Sequence, residues 1–113
     1  MTKIKTSELQ GPALDWAVAE AAECDTFTDA GGALRHGPDA KGWHPSSNWS
    51  QCGPLIEMFK VNIESAWREW DARARNGVLY YIETSGPTPL IAACRAIVAA
   101  KLGNEVDVPE ELV

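Results

Sequence analysis

Asn76-Gly77-Val78-Leu79-Tyr80-Tyr81-Ile82 is the stretch on which the fold turns. Asn-Gly suits a two-residue type I′ turn because both positions must accept positive φ, and Val78, Tyr80, Tyr81 and Ile82 are side chains that fit a pleated, half-buried surface. A hairpin pairing Trp70–Arg75 with Val78–Thr84 follows. Just upstream the pattern is double. Ile63, Trp67, Trp70 and Ala74 recur at helical spacing, whereas Val61, Ile63 and Ser65 alternate as a strand would. The hairpin is the preferred reading, with a helix over Ile63–Arg75 as its alternative.

Outward from this stretch, the signals alternate between helix and turn. Thr88 is placed to cap a helix with Pro89 at its first position, Leu90, Ala93, Cys94, Ile97 and Val98 on its apolar face, and Gly103 as its stop. Glu105 to Pro109 then reads as an edge strand that Pro109 ends. On the other side, Gly11-Pro12 opens an amphipathic helix running to about Cys24, preceded by a short turn. Thr26-Phe27-Thr28 and Ala33-Leu34-Arg35 read as a small hairpin around residues 29–32. Lys41 to Gly53 reads as an ordered loop carrying Trp43, His44 and Trp49, after which Gly53-Pro54 opens a short helix ending near Lys60. The sum is one α+β domain over residues 1–113, with two main helices and one short helix packed on a small antiparallel sheet.

Composition narrows the function classes. The 113 residues, 45% hydrophobic and 23% charged, suit one globular domain that buries roughly 65% of its unfolded-chain surface. Ten Lys+Arg against sixteen Asp+Glu leave a net charge of −6, which argues against direct binding of duplex DNA. Leu90 to Leu102 is too short to span a membrane and contains Arg95 and Lys101. No signal-type apolar block follows the basic start Met1-Thr2-Lys3-Ile4-Lys5, so the expected location is the cytoplasm. Cys24, Cys52 and Cys94 form no C-x-x-C pair, and reduced, buried thiols are expected.

Catalytic patterns are weak. Ser46, Ser47 and Ser50 lie near His44, but no G-x-S-x-G elbow is present. Cys52 precedes an expected helix opening, which would lower a thiol pKa, yet a packed thiol explains it as well. His36, His44 and Cys52 are evenly spaced, whereas zinc ligands generally pair roughly two to five residues apart. Phosphate-loop, dinucleotide and H-E-x-x-H patterns are absent. A protein that is not an enzyme, with no metal and no cofactor, is the expectation.

What remains is an anion-pocket pattern. Helices opening at Gly53-Pro54 and Thr88-Pro89 present free backbone N–H groups and a positive dipole end. Trp43 and Trp49 could stack on a planar ring, with Ser46, Asn48, Gln51 and Thr88 on its polar edge. Arg95 would point either at the anion or at the acidic tail. The candidate ligand-binding set is therefore Trp43, Ser46, Asn48, Trp49, Gln51, Thr88 and Arg95. One stacked ring contributes about 1–3 kcal/mol and one helix end about 0.3–2 kcal/mol, short of the roughly 8 kcal/mol of a micromolar site. A homodimer lining the pocket is thus the stronger form. The plain alternative is that Trp16, Trp49, Trp67 and Trp70 fill the core and the Gly-Pro junctions only start helices.

Several segments together resemble the NinX-type proteins of lambdoid phages, a family carrying a domain of unknown function. They are residues Ile4 to Leu9, Leu14 to Ala19, Pro45 to Trp49, Gly53 to Glu57, Gly86 to Ala93 and Gly103 to Leu112, in order along nearly the whole chain. Asn48 stands where that pattern carries an acidic residue, and Cys52 where it carries a small one. The resemblance implies an accessory gene of a temperate phage or prophage and brings no activity with it. Joined to the residue reading, it suggests a non-enzymatic phage protein that binds or sequesters a small nucleotide-like anion, as a counter to host defence. The rival is an acidic effector that contacts a host protein acting on nucleic acid.

Overall fold

A computed structural model describes residues 1–22, 26–28, 34–36, 41–75 and 80–112; for 26–28, 34–36, 41–42 and 111 it describes the backbone alone. Its organising element is the last helix, α3 (Pro89–Leu102), which is buried along most of its length at Leu90, Ala92, Ala93, Cys94, Ala96, Ile97, Val98 and Ala99. Five alanines would be wasted on a surface helix; here small side chains, with Gly86 against Ala92, let α3 lie close to both a sheet and other helices. One face rests on the meander β5 (Asn62–Ser65), β6 (Trp70–Arg75) and β7 (Tyr81–Gly86), and the rest meets α1 (Gly11–Ala21) and α2 (Trp49–Met58). β1 (Thr2–Lys5) pairs antiparallel with β8 (Glu105–Val108), joining the two ends of the chain. The stretches β2 (Thr26–Thr28), β3 (Leu34–His36) and β4 (Lys41–Gly42) form a third antiparallel ladder.

The α+β class and the three helices are as expected, with the strands shared among three small ladders. Asn62–Ser65 and Trp70–Arg75 are strands joined by a short bend: Ile63 pairs with Ala72 and Ser65 with Trp70, so the helix alternative is overturned. Alternation decided it, because Ala72 and Ala74 turn inward under α3 while Arg73 and Arg75 face solvent, a period of two. The hairpin of β6 with β7 is present, but Arg75 lies opposite Tyr81, not Val78, which shifts the expected register by three residues. Asn76-Gly77 and its turn lie outside the described residues.

Caps set the helix limits. Thr88 accepts the Ile91 N–H at 3.1 Å, as expected, and Gly103 leaves α3 with φ +93°. Helix α2, by contrast, begins at Trp49 and not at Gly53-Pro54. Asn48 accepts the Gln51 N–H at 3.2 Å and so starts the helix one turn earlier, leaving Pro54 inside it. At its other end, Val61 N–H bonds the Ile56 carbonyl and Lys60 N–H that of Glu57, with Lys60 at φ +54°. This pair of bonds is a Schellman stop built on a residue other than glycine. Helix α1 starts with Gly11 at φ +58°, and its expected end at Cys24 lies outside the described residues; Ala22 caps it.

Candidate functional site

The loop that was expected to open a pocket is instead clamped shut. Trp43, only 6% exposed, donates its indole N–H to the Asp15 backbone carbonyl at 2.8 Å. Buried Ser46 donates its backbone N–H to Asp15 Oδ1 at 2.9 Å. Asp15 sits in the buried face of α1, and that burial pushes its carboxyl above the ordinary value, against the opposing pull of the Ser46 hydrogen bonds. Gln51 Oε1 accepts the His44 N–H at 2.7 Å, folding the loop back on α2.

The seven residues of the sequence-derived set are thus placed as follows. Trp43 and Ser46 are sealed against α1, Asn48 and Thr88 cap α2 and α3, and Gln51 braces the loop. Trp49 is 57% exposed on the outer side of α2. Arg95 points neither at the acidic tail nor into a hollow: its Nε and Nη1 donate to the carbonyls of Leu9 and Ser85, each at 2.9 Å. Three hollows among the described residues, of about 480, 440 and 360 Å³, are lined by none of the seven. Trp67, at 88% exposure, does not fill the core either, and Arg68 lies 4.3 Å over its ring. Trp16 and Trp70 do pack against the core from its edge.

Among the described residues, the hydroxyl and imidazole candidates meet at one place. Ser47 Oγ lies 3.3 Å from both His44 Nδ1 and the His44 carbonyl, a contact within one tight turn. No cluster of three His, Cys, Asp or Glu side chains that could hold a metal occurs among the described residues. No helix of the structure is long and apolar enough to cross a membrane.

Charge does converge at the opposite end of the helices. Two adjoining hollows share Lys60 and Arg75. One, of about 360 Å³, is lined by Ala21, Ala22, Met58, Phe59, Lys60, Arg75 and Lys101; the other, of about 480 Å³, adds Ile56, Glu57, Val61, Asn62 and Tyr81. Lys101 Nζ lies 5.7 Å from the Phe59 ring and Arg75 Cζ 5.9 Å from the Tyr81 ring, the outer reach of cation–ring attraction. None of the three cations makes an ion pair among the described residues, although Arg73, on the same face of the sheet, is held between Glu64 and Glu83. All three helices end here. Each helix C-terminus carries about half a negative charge and Glu57 adds a full one at the second hollow, so the three cations are left with about half a positive charge in excess.

Sequence reading passed over these residues because they come from three helix ends and a strand end far apart in the chain. The available signal was scarcity: in a chain with ten Lys and Arg, Lys60 and Lys101 both close helices, and Arg75 closes a strand.

Fold and surface together define a small α+β domain centred on one buried helix, its tryptophan loop locked and its cations gathered at the helix C-termini. The chain belongs to the bacteriophage P22 NinX family, whose model matches residues 5–101. It is accordingly a phage accessory protein. No curated protein matches it.

Proposed function

We propose that this phage accessory protein works by binding and not by catalysis, and that its ligand is a small nucleotide-like anion held in the notch of Lys60, Arg75 and Lys101. The observation that carries the reading is the convergence of three cations that make no ion pair among the described residues, beside two aromatic rings, on a chain whose net charge is −6. Cations left unpaired next to a hollow cost nothing in water and attract an anion, whereas the surrounding acidic surface repels one.

Magnitudes select the kind of anion. A solvent-exposed charge pair contributes about 0.2–1 kcal/mol, so three of them hold a bare phosphate only weakly. A planar ring against Tyr81 or Phe59 adds about 1–3 kcal/mol. The sum, about 1.6–6 kcal/mol, corresponds to a dissociation constant between tens of millimolar and tens of micromolar, and it favours a ring-bearing phosphate over phosphate alone. Sequestering such a molecule from the host is the role this reading gives the protein during infection.

Adenosine monophosphate is a suitable probe. It should raise the melting temperature in a salt-dependent way, inorganic phosphate should do so far less, and Arg75→Ala and Lys101→Ala should each remove the effect. A shift of equal size in the two variants, or none in the parent, refutes the reading. A second reading, contact with a host protein, draws on the exposed Trp67 and Arg68, residue types that dominate binding energy at protein interfaces. Loss of a host partner in Trp67→Ala, with the notch intact, would favour it.

A further inference from the structure

Cys52 on α2 and Cys94 on α3 face each other across the core, separated by 42 positions in the chain, with their sulfurs 3.9 Å apart and neither exposed. We propose that this pair is an oxidation site, which a small peroxide closes into an intramolecular disulfide tying α2 to α3. This inference is independent of the anion reading.

Geometry is its first support. A disulfide needs sulfurs about 2.05 Å apart, so the two must approach by about 2 Å, a change shared between two side-chain torsions. The second support is an asymmetry between the thiols. The hydrogen bond with Cys94 holds the Cys52 thiol below its ordinary value, despite burial and the nearby Asp15 charge. The same bond, together with burial, pushes Cys94 well above its own. Cys52 is thus the nucleophile and Cys94 the proton-bearing partner.

The steps balance. Cys52 thiolate attacks one peroxide oxygen, the O–O bond breaks, and the departing hydroxide takes up a proton to leave as water, giving a sulfenic acid on Cys52. Cys94 sulfur then displaces the sulfenic oxygen, which leaves with the Cys94 proton as a second water. Two thiols are oxidised and one peroxide is reduced. Helix α2 offers the way in. It buries only Cys52 and Leu55, and Pro54 has no N–H for the Ser50 carbonyl. Opening of this short helix admits a small neutral oxidant sooner than opening of α3.

The test uses the full chain treated with hydrogen peroxide and then mapped by mass spectrometry without reduction. A linked Cys52–Cys94 peptide in a monomer, a mass lower by two hydrogens, a raised melting temperature and reversal by dithiothreitol are expected. In a Cys24→Ser background no thiol should remain titratable after denaturation, and adding Cys94→Ser should leave a Cys52 sulfenic acid that dimedone traps. Linkage of Cys24 to either partner, intermolecular dimers, or Cys52 advancing to sulfinic acid while Cys94 stays free would overturn the proposal.

Discussion

Trp43 donates its indole N–H to the backbone carbonyl of Asp15 at 2.8 Å, and this bond seals the ring against α1. With the Asp15 carboxylate also holding Ser46, the loop before α2 is fastened to α1 and its ring is unavailable for stacking. The caps Asn48 and Thr88 close the helix openings in the same region. Lys60, Arg75 and Lys101 lie at the other end, beside the helix C-termini.

The clamp has a pH signature. Burial raises the Asp15 carboxyl above 3.8, so the folded protein holds that proton more tightly than the unfolded chain. Stability from this group is therefore complete below the unfolded value and is lost as pH rises through the folded one. Asp15→Asn removes the charge and keeps an oxygen for Ser46. Its melting temperature should gain on the parent's as pH rises from about 4 through the raised folded-state value, and the gap should level off above it. A gap that stays constant, or that moves in the parent's favour, contradicts the assignment.

Thr88→Ala and Asn48→Ala should each cost about 1 kcal/mol in urea unfolding, the usual loss of a helix N-cap, and leave the affinity for adenosine monophosphate unchanged. A binding defect at either position, with stability retained, would return these residues to a ligand site.

Lys60 allows stability and binding to be separated at one position. It ends α2 at φ +54°, where glycine is unstrained. Lys60→Gly should gain about 0.5–1 kcal/mol of stability while weakening the ligand-induced melting shift. A variant that binds as well as the parent shows that this cation is not used.

Gly86 marks the closest approach of β7 to α3. A Cβ there would stand 2.8 Å from the Ala92 backbone nitrogen and 2.9 Å from Ile91 Cγ2. Gly86→Ala should destabilise by about 1–3 kcal/mol, as overpacking does, read as a lower denaturant midpoint at unchanged slope. An unchanged midpoint would mean that the strand and helix can separate at little cost.

Much of the fold is local in origin and was legible for that reason. Thr88-Pro89 and Gly103 bound α3 by cap chemistry confined to a few residues, and the alternation of Glu105 to Val108 marked a strand. Position-specific competition misled the reading elsewhere. Gly53-Pro54 resembles a helix start, but Asn48 offers a side-chain acceptor one turn sooner, and the helix tolerates the proline within it. Asn76-Gly77 pointed to the right hairpin, whereas its register was set by burying Ala72 and Ala74 under α3. The candidate site was the least legible part. Whether Trp43 stacks on a ligand or is sealed against Asp15 depends on a contact spanning 28 positions, which periodicity does not encode.

Amide chemical-shift mapping with adenosine monophosphate tests the account most directly. The account predicts salt-sensitive shifts centred on Phe59, Lys60, Val61, Arg75, Tyr81 and Lys101, with residues 43–51 and Thr88 undisturbed. Shifts centred on Trp43, Asn48 and Thr88, or no saturable shifts at all, would contradict it.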